Sequence, residues 1–339
     1  MGLAARGAGH VVVGWDPDAA TLRRAVELDA LSAAVGSVAE AATEAETVFA
    51  CAPVGALPGL VTEALEAAGE GCVVTDVGST KRGIAAIDDE RFIGGHPIAG
   101  AETAGVENAR ATLFRGATWY LTPGERSSGV LYERLHSLLA GFGAMPVAID
   151  AETHDRLLAA VSHLPHVIAN VLVSQVAARL RDQGEALPRV GPSFRDVTRV
   201  AGANPAIWTD IYTSNADAIA DELEAMSAGL AEVAGMLRDP EALAGWNARA
   251  AEDRRNLLEA DLAGGPVHEL QVSVPNRPGI VAQVALALGR GGVNIADMAL
   301  APAPDNRSGA ITLWVVGEGA GGRATELIGA LGFPVAEVR

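Results

Sequence analysis

The chain has 339 residues and a formal net charge of −17, from 25 Lys and Arg against 42 Asp and Glu. This length points to two or three domains. The acidic balance argues against nucleic acid and anionic membrane surfaces as partners, so an anionic small molecule would need local arginines to bind. Aromatic residues make up 4% of the chain, so its cores should be Ala-, Val- and Leu-rich and closely packed. Cys51 and Cys72 lie in apolar, strand-like runs and read as buried free thiols in a reducing compartment. No apolar run reads as long and charge-free enough to span a bilayer, and no basic leader opens the chain, so a cytoplasmic location is expected.

Residues 10–16 read as a strand ending in Asp16, followed by a helix to about residue 29. Residues 47–52 and 72–76 are further strands, with a helix over 54–68 between them and another predicted over 80–87. Strands alternating with helices indicate a parallel sheet of βαβ units. An acidic residue at a strand end suits the ribose hydroxyls of a dinucleotide, a role open to Asp16, as is that of helix N-cap. The glycine fingerprint of such folds stands about twenty residues before that acid, but only fifteen residues precede Asp16, and residues 1–9 resemble the end of the first helix. The domain is therefore expected to be N-terminally truncated, with a gap or exposed edge between residues 11–14 and 48–50. The alternative is that no dinucleotide binds.

Ligands of parallel sheets lie beyond the carboxyl ends of the strands. This places Cys51, Ala52 and Pro53 after one strand, and Asp76 with Ser79 after the next, along a cofactor path. Lys81 reads as an exposed cation at a helix start or as a substrate contact. Gly94-Gly95-His96-Pro97-Ile98-Ala99-Gly100 follows a short buried strand end and reads as a rigid loop presenting His96. His96 is either a turn histidine with a backbone partner or a group that exchanges protons near neutral pH. A strand over 117–122, a helix over 127–141 and a strand over 145–149 complete a domain of residues 1–149.

Residues 150–262 show helical periodicity and form a second, all-α domain, whose long Ala/Leu helices could make an inter-subunit bundle. His154, His163 and His166 lack metal-ligand spacing, and Pro165 should interrupt the helix there. His166 and then His154 are the better substrate candidates, and His163 reads as structural. Arg195 and Arg199 stand four apart on one predicted helix face and suit a carboxylate. Trp208 is core or pocket wall. Residues 266–339 follow the order βαββαβ, a ferredoxin-like unit that could serve dimerisation alone.

Taken together, Asp76-Val77-Gly78-Ser79-Thr80-Lys81, the stretch from Gly94 to Gly100, Ser162 to His166, and Arg195-Asp196-Val197-Thr198-Arg199 resemble prephenate dehydrogenases of tyrosine biosynthesis. The tail, through Val274 to Ile280 and Gly292-Val293-Asn294-Ile295, resembles an ACT domain. The resemblance implies an α/β Rossmann-like NAD domain, a helical dimerisation domain and a regulatory ACT domain. It implies NAD-dependent oxidative decarboxylation of prephenate to 4-hydroxyphenylpyruvate, with arogenate as the alternative substrate; a catalytically silent amino-acid-binding regulator is a further alternative. His96 would polarise the substrate hydroxyl, Ser79 would hold it in register, and Arg199 would grip a carboxylate. His166, Trp208, His154 and Arg195 would line the substrate pocket. Asn276 and Asn294 would sit at an effector site, with tyrosine as the ligand, in a homodimer without metal.

Overall fold

The computed structural model describes residues 1–100, 105–183, 190–261, 266–275, 280, 283–284, 287–288, 291–303 and 308–338. They divide into two compact units, Met1–Ser227 and Ala228–Arg339.

The first unit is built on a five-stranded sheet in the order β3-β4-β5-β6-β7. Its strands are β3 (Thr47–Ala50), β4 (Val73–Asp76), β5 (Phe92–Pro97), β6 (Thr118–Pro123) and β7 (Met145–Ala148). Neighbours run parallel except β5 and β6. Successive strand side chains face opposite ways, and here both faces are covered. Val74 and Phe92 pack with Leu57, Val61 and Ala64 of helix α4 (Leu57–Ala67). Val73, Ile93, Trp119 and Leu121 pack on the other face with Leu131, Leu135 and Leu139 of helix α5 (Gly129–Gly141). Burial on both faces is what turns short apolar runs into parallel strands.

Helix α1 (Gly2–Gly7) lays Ala4 on the α5 side of this core. Helix α2 (Ala19–Glu27) is capped by Asp18, and α3 (Val38–Ala42) by Ser37. Between them β1 (Val13–Gly14) pairs in parallel with β2 (Ala33–Ala34) in a sheet of their own. β3 is thus an edge of the five-stranded sheet, and Val11 and Val13 are 82% and 40% exposed.

Three sequence expectations change here. Residues 82–86 form turns, not a regular helix: the Ile84 and Ala85 N–H groups both bond the Lys81 carbonyl, and the Asp155 carboxylate accepts from the Lys81 and Arg82 N–H groups at 2.7 and 2.9 Å. The His96 segment is strand rather than loop: β5 runs on through Pro97, with His96 opposite Tyr120 of β6. Cys51 is exposed, since β3 ends at Ala50, while Cys72 is buried.

Helix α6 (Ala151–Leu158) continues through a π-helical turn (Ala159–His163) into α7 (Leu164–Gln183). Pro165 therefore does not break the helix. A proline lacks an N–H and crowds the carbonyl one turn back, and the wider turn precedes it. The run over residues 151–181 has a mean hydropathy of 1.6 in its most apolar window, which by length and composition could cross a membrane, contrary to the sequence reading. Its buried His154, Asp155, His163 and His166 mark it instead as a core helix of this unit, while Val161 and Val171 lie exposed on its outside. Helices α8 (Pro192–Thr198), α9 (Pro205–Ser214, capped by Asn204) and α10 (Ala216–Met236) follow.

The second unit contains helix α11 (Pro240–Asp261) and an antiparallel sheet of β8 (Val267–Pro275), β9 (Asn294–Pro302), β10 (Ser308–Val316) and β11 (Val335–Glu337). The strand order is β11-β8-β10-β9. Leu270, Val272, Val274, Ile311, Leu313 and Val315 face helical Ile280, Val284 and Leu288, and Ala324 and Ile328 of the helix Ala320–Ala330. On Trp314, the Arg254 guanidinium of α11 lies 4.9 Å from the ring centroid and 3.5 Å from Glu269. Asn294 opens β9 opposite Val316; Asn276 lies outside the described residues.

Gly95 is the closest packing point of β4 on β5. A Cβ there would stand 2.7 Å from the Asp76 carbonyl oxygen and 2.8 Å from Thr75 Oγ1. Gly95→Ala is expected to destabilise the fold by about 1–3 kcal/mol, the usual cost of overpacking, read as a lower midpoint in urea. An unchanged midpoint would show that the two strands can part freely.

Candidate active site

The site is built where β4 and β5 end. Beyond β4 the chain turns sharply, and the Asp76 carboxylate organises the turn. Its Oδ2 accepts from the Gly78 N–H at 2.7 Å and from the Lys81 ammonium, and its Oδ1 accepts from the Gly95 N–H at 3.0 Å. Asp76 and Lys81 are both fully buried. Burial draws the Lys81 pKa below its ordinary value, against the pull of Asp76. A charge in such a place persists only when it is paired. The Asp76 oxygens thus serve the turn and the ion pair. Lys81 is likewise an internal cation, not an exposed one.

This turn presents Ser79 to a cavity of about 320 Å³ that is also lined by His96, Cys51, Leu113 and Phe114. His96 is buried at its wall. Burial, with the neighbouring His154 and Lys81, holds the His96 pKa well below the ordinary 6.5, so the ring is neutral at pH 7. Its Nδ1 lies 2.9 Å from Nε2 of His154, whose Nδ1 lies 2.8 Å from Oδ1 of Asp155. His154 is 0% exposed, with one ring nitrogen facing His96 and the other Asp155. The Tyr120 ring meets His154 edge-on at 5.5 Å.

Asp155 is a junction. Burial alone would raise its pKa, but hydrogen bonds from His154 and from the Arg82 and Lys81 N–H groups hold it below the usual carboxylate range. Its backbone carbonyl accepts from Asn215 Nδ2 at 2.7 Å, and that amide also reaches His163 Nδ1 at 3.2 Å. Asn215 Oδ1 in turn accepts from Arg82 at 2.8 Å, and Thr80 donates to Ser214 at 2.9 Å. The end of α9 is thereby latched to the turn after β4.

Past this latch, His166 stacks on Trp208 with centroids 3.5 Å apart and planes 3° from parallel. Its Nδ1 meets the Tyr212 hydroxyl and lies 3.1 Å from Asn170 Nδ2. Its Nε2 is buried without a hydrogen-bond partner among the described residues. Burial lowers the His166 pKa, partly offset by the Val200 backbone. Burial likewise brings His163 down to about 4.

Sequence reasoning placed His96, Ser79, His166 and Trp208, and the structure joins them through Asp155 and Asn215. Arg195 is exposed on α8, and Arg199, also exposed, opens the 3-10 turn Arg199–Gly202, so the two do not share one regular helix face. Sequence reasoning missed Asp155, Asn215, Asn170 and Tyr212. Only the spacing of Tyr212, four after Trp208 on one helix, offered a signal.

For NAD, the carboxyl ends of β3 and β4 offer the open rim at Cys51, Ala52 and Pro53, beside the cavity of Ser79 and His96. Asp16 follows β1 half-buried, and its Oδ1 accepts from the Asp18 N–H at 2.8 Å. A neutral, partly apolar cavity suits a nicotinamide, and a half-buried carboxylate after a strand suits a ribose.

The His163 shift has a measurable sign. Its folded pKa of about 4 lies below the ordinary 6.5, so acid favours the unfolded chain. Its contribution to stability should be complete above about pH 6.5 and fade as pH falls towards 4. Melting temperatures over that window should fall for the wild type and fall less steeply for His163→Asn; identical slopes would exclude His163 as a source.

The family profile described as prephenate dehydrogenase, nucleotide-binding domain, matches residues 1–148, and that described as prephenate dehydrogenase, dimerization domain, matches residues 150–246. A prephenate dehydrogenase of Bacillus subtilis is 28% identical over 316 residues, covering 90% of this chain and 85% of that protein. Among solved structures, prephenate dehydrogenase from A. aeolicus, in complex with hydroxyphenyl propionate and NAD+, aligns with a TM-score of 0.67 at 25% identity, covering 76% of this chain and 93% of that one. Synechocystis arogenate dehydrogenase aligns with a TM-score of 0.65 at 25% identity, covering 76% and 95%. The chain belongs to the prephenate dehydrogenase family.

Proposed function

We propose that the protein catalyses the NAD-dependent oxidative decarboxylation of prephenate to 4-hydroxyphenylpyruvate. The observation that carries this reading is the neutral His96 beside Ser79 in the cavity at the carboxyl ends of the strands. NAD, along Asp16 and the Cys51-Ala52-Pro53 rim, supplies the acceptor for the hydride leaving the hydroxyl-bearing carbon. His96 takes the hydroxyl proton as that hydride departs. Ser79 holds the same hydroxyl in register with the imidazole. Loss of carbon dioxide then returns an electron pair through the ring to the oxygen, and the proton on His96 goes back to it, giving the phenol. No proton is gained or lost overall, and aromatisation drives the step. His166 and Trp208 form the far wall of the substrate site, and Arg199, with Arg195 as weaker support, meets a carboxylate.

Residues 1–149 serve as the NAD domain, 150–262 as the substrate and dimerisation domain, and 266–339 as a ferredoxin-like ACT domain. The strand order of the tail supports this last reading, since the fourth strand lies beside the first. The tail would bind an aromatic amino acid, with tyrosine as the end product of the route, at a site including Asn276 and Asn294. The exposed Val161 and Val171 support a homodimer through the helical domain, and the enzyme would work in the cytoplasm.

His96→Asn should keep the fold and NAD affinity but lower turnover by roughly 10²–10⁴-fold. Retention of more than about a tenth of wild-type turnover would remove His96 from the chemistry. Assaying prephenate and arogenate side by side decides which acid is the substrate. Arg199→Ala should raise KM for that acid by up to roughly fivefold, on the scale of about 0.2–1 kcal/mol for an exposed ion pair, and leave KM for NAD unchanged. Equal changes in both would make Arg199 structural.

A further inference from the structure

A neutral histidine can accept a proton at one nitrogen only, and which nitrogen it is depends on its neighbours. Three groups in line decide this for His96. Asp155 is ionised, so it accepts hydrogen bonds and donates none. The hydrogen in its 2.8 Å contact with His154 therefore lies on His154 Nδ1. With His154 neutral, its other nitrogen, Nε2, is then a lone pair. That lone pair stands 2.9 Å from His96 Nδ1, and a bond at this distance requires a hydrogen on His96 Nδ1. Nε2 of His96 is left as the acceptor.

We propose that Asp155 and His154 act as a positioning pair that locks His96 in its Nδ1–H tautomer, so that its Nε2 lone pair faces the substrate hydroxyl. This rests on the reading of His96 as the base. The pair is itself well held. Both residues are buried, Asp155 is pinned by two backbone N–H groups from the turn that carries Ser79, and Tyr120 bounds the His154 ring. The base and the serine are therefore aligned by one carboxylate. The proton passes from substrate oxygen to His96 Nε2 and later back to that oxygen. His154 and Asp155 keep their own protons unchanged throughout.

Nitrogen NMR of the full chain labelled in its histidines reads the tautomer directly, with the His96 signals assigned by their loss in His96→Asn. The wild type should show His96 protonated at Nδ1 and bare at Nε2. In His154→Asn the shorter amide no longer reaches His96; its tautomer should shift towards Nε2–H, and kcat should fall by roughly 10²-fold or more, with KM changed less. His154→Gln, whose amide oxygen can accept from His96 Nδ1, should keep the tautomer and recover much of kcat, which a packing role would not predict. An Nε2–H tautomer in the wild type overturns the proposal without any variant. So does a wild-type tautomer and kcat in His154→Asn when His96→Asn is inactive, and in that case the reading of the base survives. Wild-type turnover in His96→Asn overturns the base and the proposal together.

Discussion

One carboxylate, that of Asp155, joins the sheet to the helices in the first unit. It is supplied by α6 and spent on the turn after β4, where it accepts two successive N–H groups. A buried carboxylate is costly unless its lone pairs are filled, and here they are filled by the turn, by His154 and by the nearby Arg82 guanidinium at 3.5 Å. The electrostatic demand of one side chain therefore fixes the place of Ser79 on one side and the orientation of two imidazoles on the other. This is preorganisation by desolvation: the water that would otherwise serve Asp155 is replaced by groups the reaction needs in fixed positions.

The Asp76–Lys81 pair does parallel work beneath the same turn. Two unit charges in a dry interior attract strongly, and most of that attraction offsets their lost hydration. What remains is geometry. Asp76 ties the Gly78 N–H, the Gly95 N–H and the Lys81 ammonium to one point, so the ends of β4 and β5 cannot move apart independently. The positive charge of Lys81 also helps to keep His96 unprotonated. A base that must be neutral at rest and charged only in passing gains from such a neighbour.

Much of this was legible in the sequence, because it depends on local pattern. The alternation of apolar strands and amphipathic helices gave the sheet, and the glycines before His96 marked a close approach of backbone. Yet those glycines suggested a loop, whereas they are the thin part of a strand, Gly95 being pressed against Thr75 and Asp76. The burial of Lys81 could not be read, because its partners lie in β4 and, across 74 residues, in Asp155, which binds its N–H. Asp155 stands midway along α6. Its hydrogen bonds to residues far away in sequence are tertiary, and no periodicity encodes them. Cys51 was misjudged because the strand ends two residues earlier than its apolar run.

The π-helical turn at Ala159–His163 has a consequence for how the site can vary. An α-helix advances about 100° per residue, so over the nine residues from His154 to His163 a straight helix would put the two on nearly opposite sides. The inserted residue of a π turn takes back about one such step, and with it Asp155 and His163 meet around the single amide of Asn215. The phase of the helix is thus an unwritten component of the active site. A chain of the same length whose turn relaxed into regular α-helix would keep every named side chain, yet swing His163 and His166 about 100° away from Asp155. In this part of the molecule, helix winding is as much a functional property as residue identity.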